Sequence, residues 1–192
     1  AAAAARVITA RTESSRRLAH NYSAVSEDLA GEGFPEVTME YRGDPWCDLE
    51  NGVEKVEETY QQRYNETRTR DRQMGYTGDG PHRHDLNLRT NGRSIRFVLS
   101  TGQAKIVAAG LRLSTLAEIE KERRDLFPVI VDDVDAELDR EALARLVSYL
   151  GDKRQIFLSS TSGKTAAAGG RQVQRLWLEN GACVRQEAEI DE

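Results

Sequence analysis

The sequence predicts an α/β fold in which parallel strands carry the second part of the chain and a mainly helical segment precedes them. After about residue 100, helical and apolar strand-like segments alternate, as they do in parallel sheets. Phe127–Val131 is short and wholly apolar, which is typical of a strand buried in such a sheet. Before residue 75, helical periodicity is interrupted only by the alternating segment Val37–Tyr41.

The first part of the chain is predicted to contain two long helices. Residues 1–30 form one helix that ends at Gly31-Glu32-Gly33, because glycine favours helix C-termini. Leu49 to about Arg72 forms a second, highly charged helix with a sparse apolar stripe, which favours an arm or interface helix over a core helix. We therefore expect residues 1–74 to form a helical arm subdomain with one short strand.

The second part, residues 75–192, is predicted to be a separate α/β lobe. Asn91-Gly92 predicts a hairpin turn between two strands, and Asn180-Gly181 predicts another near the end of the chain. The predicted elements are strands Asp85–Thr90 and Ser94–Val98, helix Gly102–Arg124, strand Phe127–Val131, helix Arg140–Leu150, strand Gln155–Leu158, and strands Val173–Leu178 and Ala182–Arg185.

The composition excludes several classes of protein. With 39% hydrophobic and 31% charged residues, the chain of 192 residues can bury a core. Its apolar runs are far shorter than the ~20 residues that cross a bilayer. Cys47 and Cys183 are too few for a disulfide framework or zinc site. We expect a cytoplasmic protein, with these cysteines, Trp46 and Trp177 serving packing.

The net charge of −5 argues against a uniformly basic nucleic-acid binder, but the charge is unevenly distributed. Acidic residues predominate between Gly31 and Tyr60, and basic residues predominate from Gln61 to Arg124. Arg63, Arg68, Arg70 and Arg72 form a basic cluster at the end of the arm helix. This cluster is a candidate contact for DNA phosphates, and a solvated helix end is the alternative.

Two stretches carry the candidate chemistry. Asp132 and Asp133 follow the strand that ends at Val131, and the carboxyl ends of strands are where α/β sheets bind ligands. A hard cation such as Mg²⁺ binds carboxylates there, and a solvated acidic turn is the alternative. Ser100 and Gln103 have the spacing of a capping box, and a helix start offers backbone N–H groups to a phosphate. Alone, this second stretch is an ordinary helix start.

Together these stretches resemble an ABC-type ATPase head. Leu99–Gln103 is similar to the LSGGQ signature with Thr101 in place of the first glycine, Val129–Asp133 to Walker B, and Ala136–Asp139 to the D-loop. The order of Gly80-Pro81-His82-Arg83, a hairpin, the signature and Asp-Asp in Walker B resembles the RecF family of SMC-like ABC ATPases. The resemblance is specific over residues 75–162 and looser over the arm. It implies the C-terminal lobe of an ATPase head joined to an arm.

The resemblance also implies roles for individual residues. Asp132 would hold Mg²⁺, and Asp133 would act on the attacking water. The signature residues Ser100, Gly102 and Gln103 would contact ATP bound by the opposite subunit, and Asp139 would belong to the dimer-interface D-loop. Where ABC ATPases place a switch histidine, this sequence has Ser160 or Thr161, of which Thr161 is the catalytic candidate.

The main departure from the family pattern is the missing phosphate loop. The chain has no G-x-x-x-x-G-K-[ST] motif, and Ser162–Thr165 resembles only its end, after Walker B instead of before it. We expect the lobe carrying Walker A to be absent from this sequence. The chain alone is then expected to bind ATP weakly or not at all and to be inactive by itself.

The predicted function is therefore part of an ATP-dependent DNA-binding protein of recombinational DNA repair and replication-fork maintenance. The resemblance implies ATP and Mg²⁺ as cofactors, an ATP-dependent homodimer, gapped DNA or single-/double-strand junctions, and RecR/RecO-type partners. The alternatives are the head of another SMC-like ATPase and a catalytically silent interaction module. The role of His82-Arg83-His84-Asp85 stays open between a nucleotide or lobe contact and, less favoured, a metal site.

Overall fold

The computed structural model describes residues 1–134, 138–151, 154–161 and 172–190. The chain divides into two compact units, one made of residues 1–20 and 35–98 and the other of residues 21–34 and 99–192. The boundary after residue 74 is predicted from the order of the sequence motifs, whereas these two units are defined by contacts between residues. The boundary therefore stays a prediction.

The first unit has a core between helices α1 (Ala2–Leu29) and α2 (Val53–Met74). Its buried members come from the start of α1, the segment before α2 and α2 itself: Ala5, Ile8, Cys47, Val56 and Tyr60. The predicted apolar stripe of α2 is sparse but contributes to this core, since Val56 and Tyr60 are 1% and 0% exposed. Two large side chains one turn apart give the helix a narrow but fully buried stripe.

An antiparallel sheet completes the first unit, with β2 (Asp85–Thr90) between β1 (Thr38–Arg42) and β3 (Arg93–Ser94). The predicted turn at Asn91-Gly92 is confirmed, because both residues have positive φ. The predicted strand Ser94–Val98 was wrong beyond Ser94, where Ile95–Phe97 forms a 3₁₀ turn. Phe97 is 82% exposed, so its apolar character reflects no packing in this unit.

The second unit is an α/β layer, as predicted. Helix α3 (Thr101–Arg123) leads to β4 (Val129–Val131), then come α4 (Arg140–Leu150) and β5 (Ile156–Leu158). β4 and β5 pair in parallel, with Ile130 opposite Phe157. The fully buried core residues here are Val25, Leu29, Leu113, Val134, Leu143, Leu146, Val147 and Leu150.

The parallel strands are covered on one face. Val129, Val131, Ile156 and Leu158 pack against the core, whereas Ile130 on the opposite face is 76% exposed. The prediction of a fully buried strand was therefore wrong for this face. A wholly apolar segment carries no alternation, so its sequence does not tell one covered face from two.

The chain ends in an antiparallel hairpin of β6 (Gln172–Glu179) and β7 (Ala182–Ile190), which turns at Asn180-Gly181 as predicted. Cys47 is buried and Trp46 packs against the same core, which confirms their packing role. The packing role of Cys183 was wrong, because this thiol is exposed on the hairpin. Among the described residues, no helix combines the length and the apolarity that a membrane span requires.

Candidate functional site

The acidic pair lies where the sequence places it, directly after the carboxyl end of β4. Both Asp132 and Asp133 are exposed. Asp133 has φ of 51°, in the left-handed region that Asp adopts more readily than most residues. The backbone therefore turns away from the strand at this point, and both carboxylates are accessible to a ligand.

Ser159, which follows β5, connects the two acidic residues, and sequence reasoning missed it. Its hydroxyl donates a short hydrogen bond to Oδ1 of Asp132 and accepts one of 2.8 Å from the backbone N–H of Asp133. Its own N–H donates to the carbonyl of Val131 and its carbonyl accepts from Val134 N–H, both at 3.0 Å. The sequence signal is a hydroxyl residue directly after a strand, and it identifies this position only once the parallel pairing of that strand with β4 is known.

The signature segment begins α3 with the predicted capping box. The Ser100 side chain accepts from Gln103 N–H at 3.2 Å, and the Gln103 side chain accepts from Ser100 N–H at 2.9 Å. Gly102 is exposed, and a Cβ there would have no neighbour within 4 Å. The helix start is therefore fixed by its own side chains, while its surface at Gly102 remains open.

Asp139 and Thr161 lie at two further places in this unit. Asp139 is the N-cap of α4 and accepts a 2.7 Å hydrogen bond from Ala142 N–H. Thr161 is exposed beyond β5, and Ser160 is half-buried. Ala136 and Glu137 of the predicted D-loop lie outside the described residues, and so does Ser162–Thr165, the segment that resembles only the end of a phosphate loop.

The four arginines of the basic cluster divide into two pairs. Arg63 and Arg70 bind Asp79, at 2.8 Å and 3.3 Å, and Arg70 also binds Asp71 at 3.2 Å. Arg68 and Arg72 are exposed, and within the described part of the chain neither forms an ion pair. The structure thus leaves two of the four candidate cations available to a ligand.

His84 has a structural environment, which answers part of the open question about the segment from His82 to Asp85. Its side chain is 1% exposed; Nε2 lies 3.1 Å from Asp44 Oδ2, and Nδ1 lies 2.9 Å from the Tyr41 hydroxyl. Tyr60 donates to the same Asp44 oxygen at 2.7 Å, and burial together with Asp44 raises the pKa of Tyr60. No cluster of metal-ligating side chains occurs within the described ranges.

Structural comparison defines the fold. The chain matches a solved structure of the recombination mediator protein RecF of the RecFOR pathway with a TM-score of 0.71 and 23% identity, covering 91% of this chain and 45% of that one. It matches an SMC ATPase structure with a TM-score of 0.53 and 12% identity, covering 95% and 89%. The fold is therefore that of an SMC-like ATPase head, in agreement with the predicted α/β class.

Sequence comparison defines the family. DNA replication and repair protein RecF of an Anaeromyxobacter sp. is 31% identical over 163 residues, which cover 83% of this chain and 43% of the relative. The RecF proteins of an Exiguobacterium sp. and of Stenotrophomonas maltophilia are 30% and 40% identical, over 73% and 61% of this chain. No family model matches. Over the residues it shares with these proteins, the chain belongs to the RecF family.

The chain spans less than half the length of the curated relatives it matches, between 32% and 43% for these three. The residues shared with them define the fold and the family. What the whole protein does is the subject of the proposal that follows.

Proposed function

We propose that this chain is part of an ATP-dependent DNA-binding protein of recombinational repair and replication-fork maintenance, in which ATP joins two heads on DNA. The arrangement of Asp132, Asp133 and Ser159 carries the proposal. Two exposed acidic residues follow a parallel strand, and the Ser159 hydroxyl after the next strand bonds the Asp132 carboxylate and the Asp133 backbone N–H, an arrangement suited to a phosphate–metal complex. The proposed cellular process is taken from the relatives, which are named DNA replication and repair proteins.

The donor set fits Mg²⁺. Asp132 offers a carboxylate oxygen, which the Ser159 hydroxyl holds by a hydrogen bond, and Mg²⁺ binds such hard oxygen ligands together with water and phosphate. When bound, Mg²⁺ neutralises charge on the phosphates of ATP. Ser159 orients the Asp132 carboxylate, and Asp133 orients the attacking water or accepts its proton.

The signature acts on the partner subunit's nucleotide in this proposal. Ser100, Gly102 and Gln103 begin α3, where backbone N–H groups and the positive end of the helix dipole favour an anionic γ-phosphate. Asp139 lies on the D-loop side of the dimer interface, and Thr161 or Ser160 senses the phosphate. Arg68 and Arg72 contact DNA, whereas Arg63 and Arg70 hold the end of the arm together. Proteins of the RecR and RecO type are the proposed partners.

The test is Asp133→Asn in the full-length protein, with ATP turnover and ATP-dependent dimerisation measured in parallel. We expect turnover to fall by about 10²-fold or more, since general-base catalysis contributes about 10²–10⁴-fold. Dimerisation should persist because Asn has nearly the same shape as Asp and Asp132 is still present to bind Mg²⁺. Asp28→Asn, an exposed acidic residue on α1, is the matched control and should change neither measurement.

Unchanged turnover in Asp133→Asn would refute the ATPase role and favour a silent interaction module.

A second measurement addresses this chain by itself. Titration calorimetry of the 192-residue chain with ATP should show weak or no binding, because the sequence has no phosphate loop. Micromolar binding by this chain would contradict the proposed division of the ATP site.

A further inference from the structure

A pocket of about 630 Å³ lies within the first unit, between the last turns of α2 and the loop that follows it. The residues that define its chemistry are two tyrosines, two arginines and a histidine: Tyr64, Arg68, Arg72, Tyr76 and His82. Its volume is in the range of small-molecule sites, which measure about 300–1,000 Å³. The acidic pair after β4 belongs to the other unit, so this pocket is a separate feature.

The free charge of the pocket is positive. Asp71 and Asp79 line it, but their side chains are only 14% exposed and bind Arg70 and Arg63. Burial acts to raise the pKa of Asp71, and hydrogen bonds from Gly78 N–H, Arg70 and Thr67 outweigh it, so the pKa lies below its usual value. Asp71 is therefore ionised, and both side chains are paired with their own arginines. Arg68 and Arg72 then give the surface its net charge.

The loop that forms the wall is held in place before any ligand binds. Gly78 N–H donates to Asp71 Oδ1 at 3.3 Å, and Arg83 Nη1 donates to the Gly78 carbonyl at 2.7 Å. A Cβ at Gly78 would lie 2.6 Å from Arg70 Nη2, so the Arg70 side chain packs closely on this loop. Gly80 has φ of 141°, a conformation favoured only by glycine. A wall fixed in this way lowers the entropy cost of binding.

The aromatic side chains give the pocket a second chemical character. Tyr76 is 64% exposed, so most of its ring is accessible to a ligand at the pocket. Tyr64 is fixed by edge-to-face packing on Tyr60, with ring centroids 5.7 Å apart. An exposed aromatic face beside arginine side chains is the combination that binds unpaired bases and their phosphates.

We propose that this pocket binds an unpaired nucleotide of a DNA single strand, with the base on Tyr76 and flanking phosphates on Arg68 and Arg72. The proposal rests on the proposed DNA-binding function and adds the strand type and the side chains that recognise it. Bases in a duplex are stacked on each other and do not present a face to Tyr76, so single-stranded DNA is favoured over duplex.

The test measures binding of the full-length protein to fluorescent oligonucleotides by anisotropy: a 15-nucleotide single strand, the same sequence as duplex, and an abasic single strand. Tyr76→Ala should weaken single-strand binding about tenfold, since stacking on an aromatic side chain contributes about 1–3 kcal/mol per base. The abasic strand should bind wild type and Tyr76→Ala equally. Circular dichroism checks that the variants are folded.

The double variant Arg68→Gln/Arg72→Gln tests the phosphate contacts. Its plot of log K against log salt should be shallower by about 1.4, because each phosphate contact on a single strand contributes about 0.7. Arg6→Gln/Arg112→Gln removes two exposed helical arginines elsewhere and is the matched control; its slope should equal that of wild type.

Three outcomes would overturn the proposed single-strand site. The pocket variants could bind the single strand as tightly as wild type, or they could lose the same affinity for single strand and duplex. Free thymidine monophosphate could also compete with the single strand at micromolar concentration. The last outcome would assign the site to a free nucleotide. If the wild-type protein bound none of the DNAs, the proposed function itself would fail. If the wild-type protein bound DNA and the pocket variants bound it equally well, only the proposed role of the pocket would be refuted.

Discussion

The hydrogen bond from Tyr60 to Asp44 allows a sharp test of what holds the first unit together. Tyr60→Phe removes the hydroxyl that donates to Asp44 Oδ2 at 2.7 Å and keeps the ring, which packs edge-to-face on Trp46 with centroids 4.8 Å apart. The change therefore removes the buried hydrogen bond to Asp44 and the 3.1 Å contact of the same hydroxyl with His84 Nε2, but little packing. Tyr60 is fully buried, so water cannot replace the lost contact without local opening.

The magnitude follows from the partner that remains. A hydrogen bond to a charged group contributes about 1.5–3 kcal/mol to stability. Asp44 keeps its contact with His84 Nε2 at 3.1 Å, so the carboxylate is not left without a partner. We expect a loss of about 2 kcal/mol, near the lower half of that range. At about 2–4 °C per kcal/mol for a chain of this size, the melting temperature should fall by about 6 °C.

Urea unfolding measured by circular dichroism gives the free energy of unfolding. Trp46 fluorescence, in a background with Trp177→Phe, reports on the first unit by itself, and an unchanged m-value would show that the unfolded state is unaltered. Tyr76→Phe removes the hydroxyl of an exposed tyrosine and is the matched control. If Tyr60→Phe lost no more stability than this control, the account of the buried cluster would be refuted.

Three further predictions concern the second unit. Ser100→Ala should lower its stability by about 1 kcal/mol through loss of the N-cap, measured by urea unfolding, while Ser100→Asp should restore most of it. Burial acts to raise the pKa of Glu120, but hydrogen bonds from Arg154 and a backbone N–H hold it below its usual 4.5; the resulting stability is present above pH 4.5 and lost as the pH falls below it. Glu120→Gln should abolish that part of the acid sensitivity in unfolding titrations, and an unchanged pH profile would contradict it. Ser159→Ala should raise the Mg²⁺ concentration that half-saturates turnover of the full-length protein by about 10-fold, because it removes the group that orients the Asp132 carboxylate. Ser159→Thr keeps the hydroxyl and should leave that concentration unchanged.

The elements that local chemistry specifies were predictable. The turns at Asn91-Gly92 and Asn180-Gly181 and the capping box at Ser100 depend on residues within a few positions of each other, and the structure confirms all three. The acidic pair after β4 was also predictable, since it follows from the end of a strand. These features need no knowledge of the rest of the chain.

Features that depend on distant partners were not predictable. The sequence shows four similar arginines at the end of α2, and only the positions of Asp71 and Asp79 decide which two are neutralised. Likewise, Ser159 looks like an ordinary residue after a strand until parallel pairing of β4 and β5 brings it to Asp132. The contacts to Asp79 and from Ser159 to Asp132 join residues on separate elements, where periodicity carries no information.

The sequence by itself determined the α/β class, the order of the motifs and the resemblance to the RecF family. It did so because strand and helix periodicity, caps and turns are local, and because the motifs are contiguous. Tertiary structure alone decided that one face of β4 is open, that His84 is buried against Asp44, and that Arg68 and Arg72 line a pocket with Tyr76. Exposure and pairing are properties of the packed chain, and a residue's own neighbours in sequence do not set them.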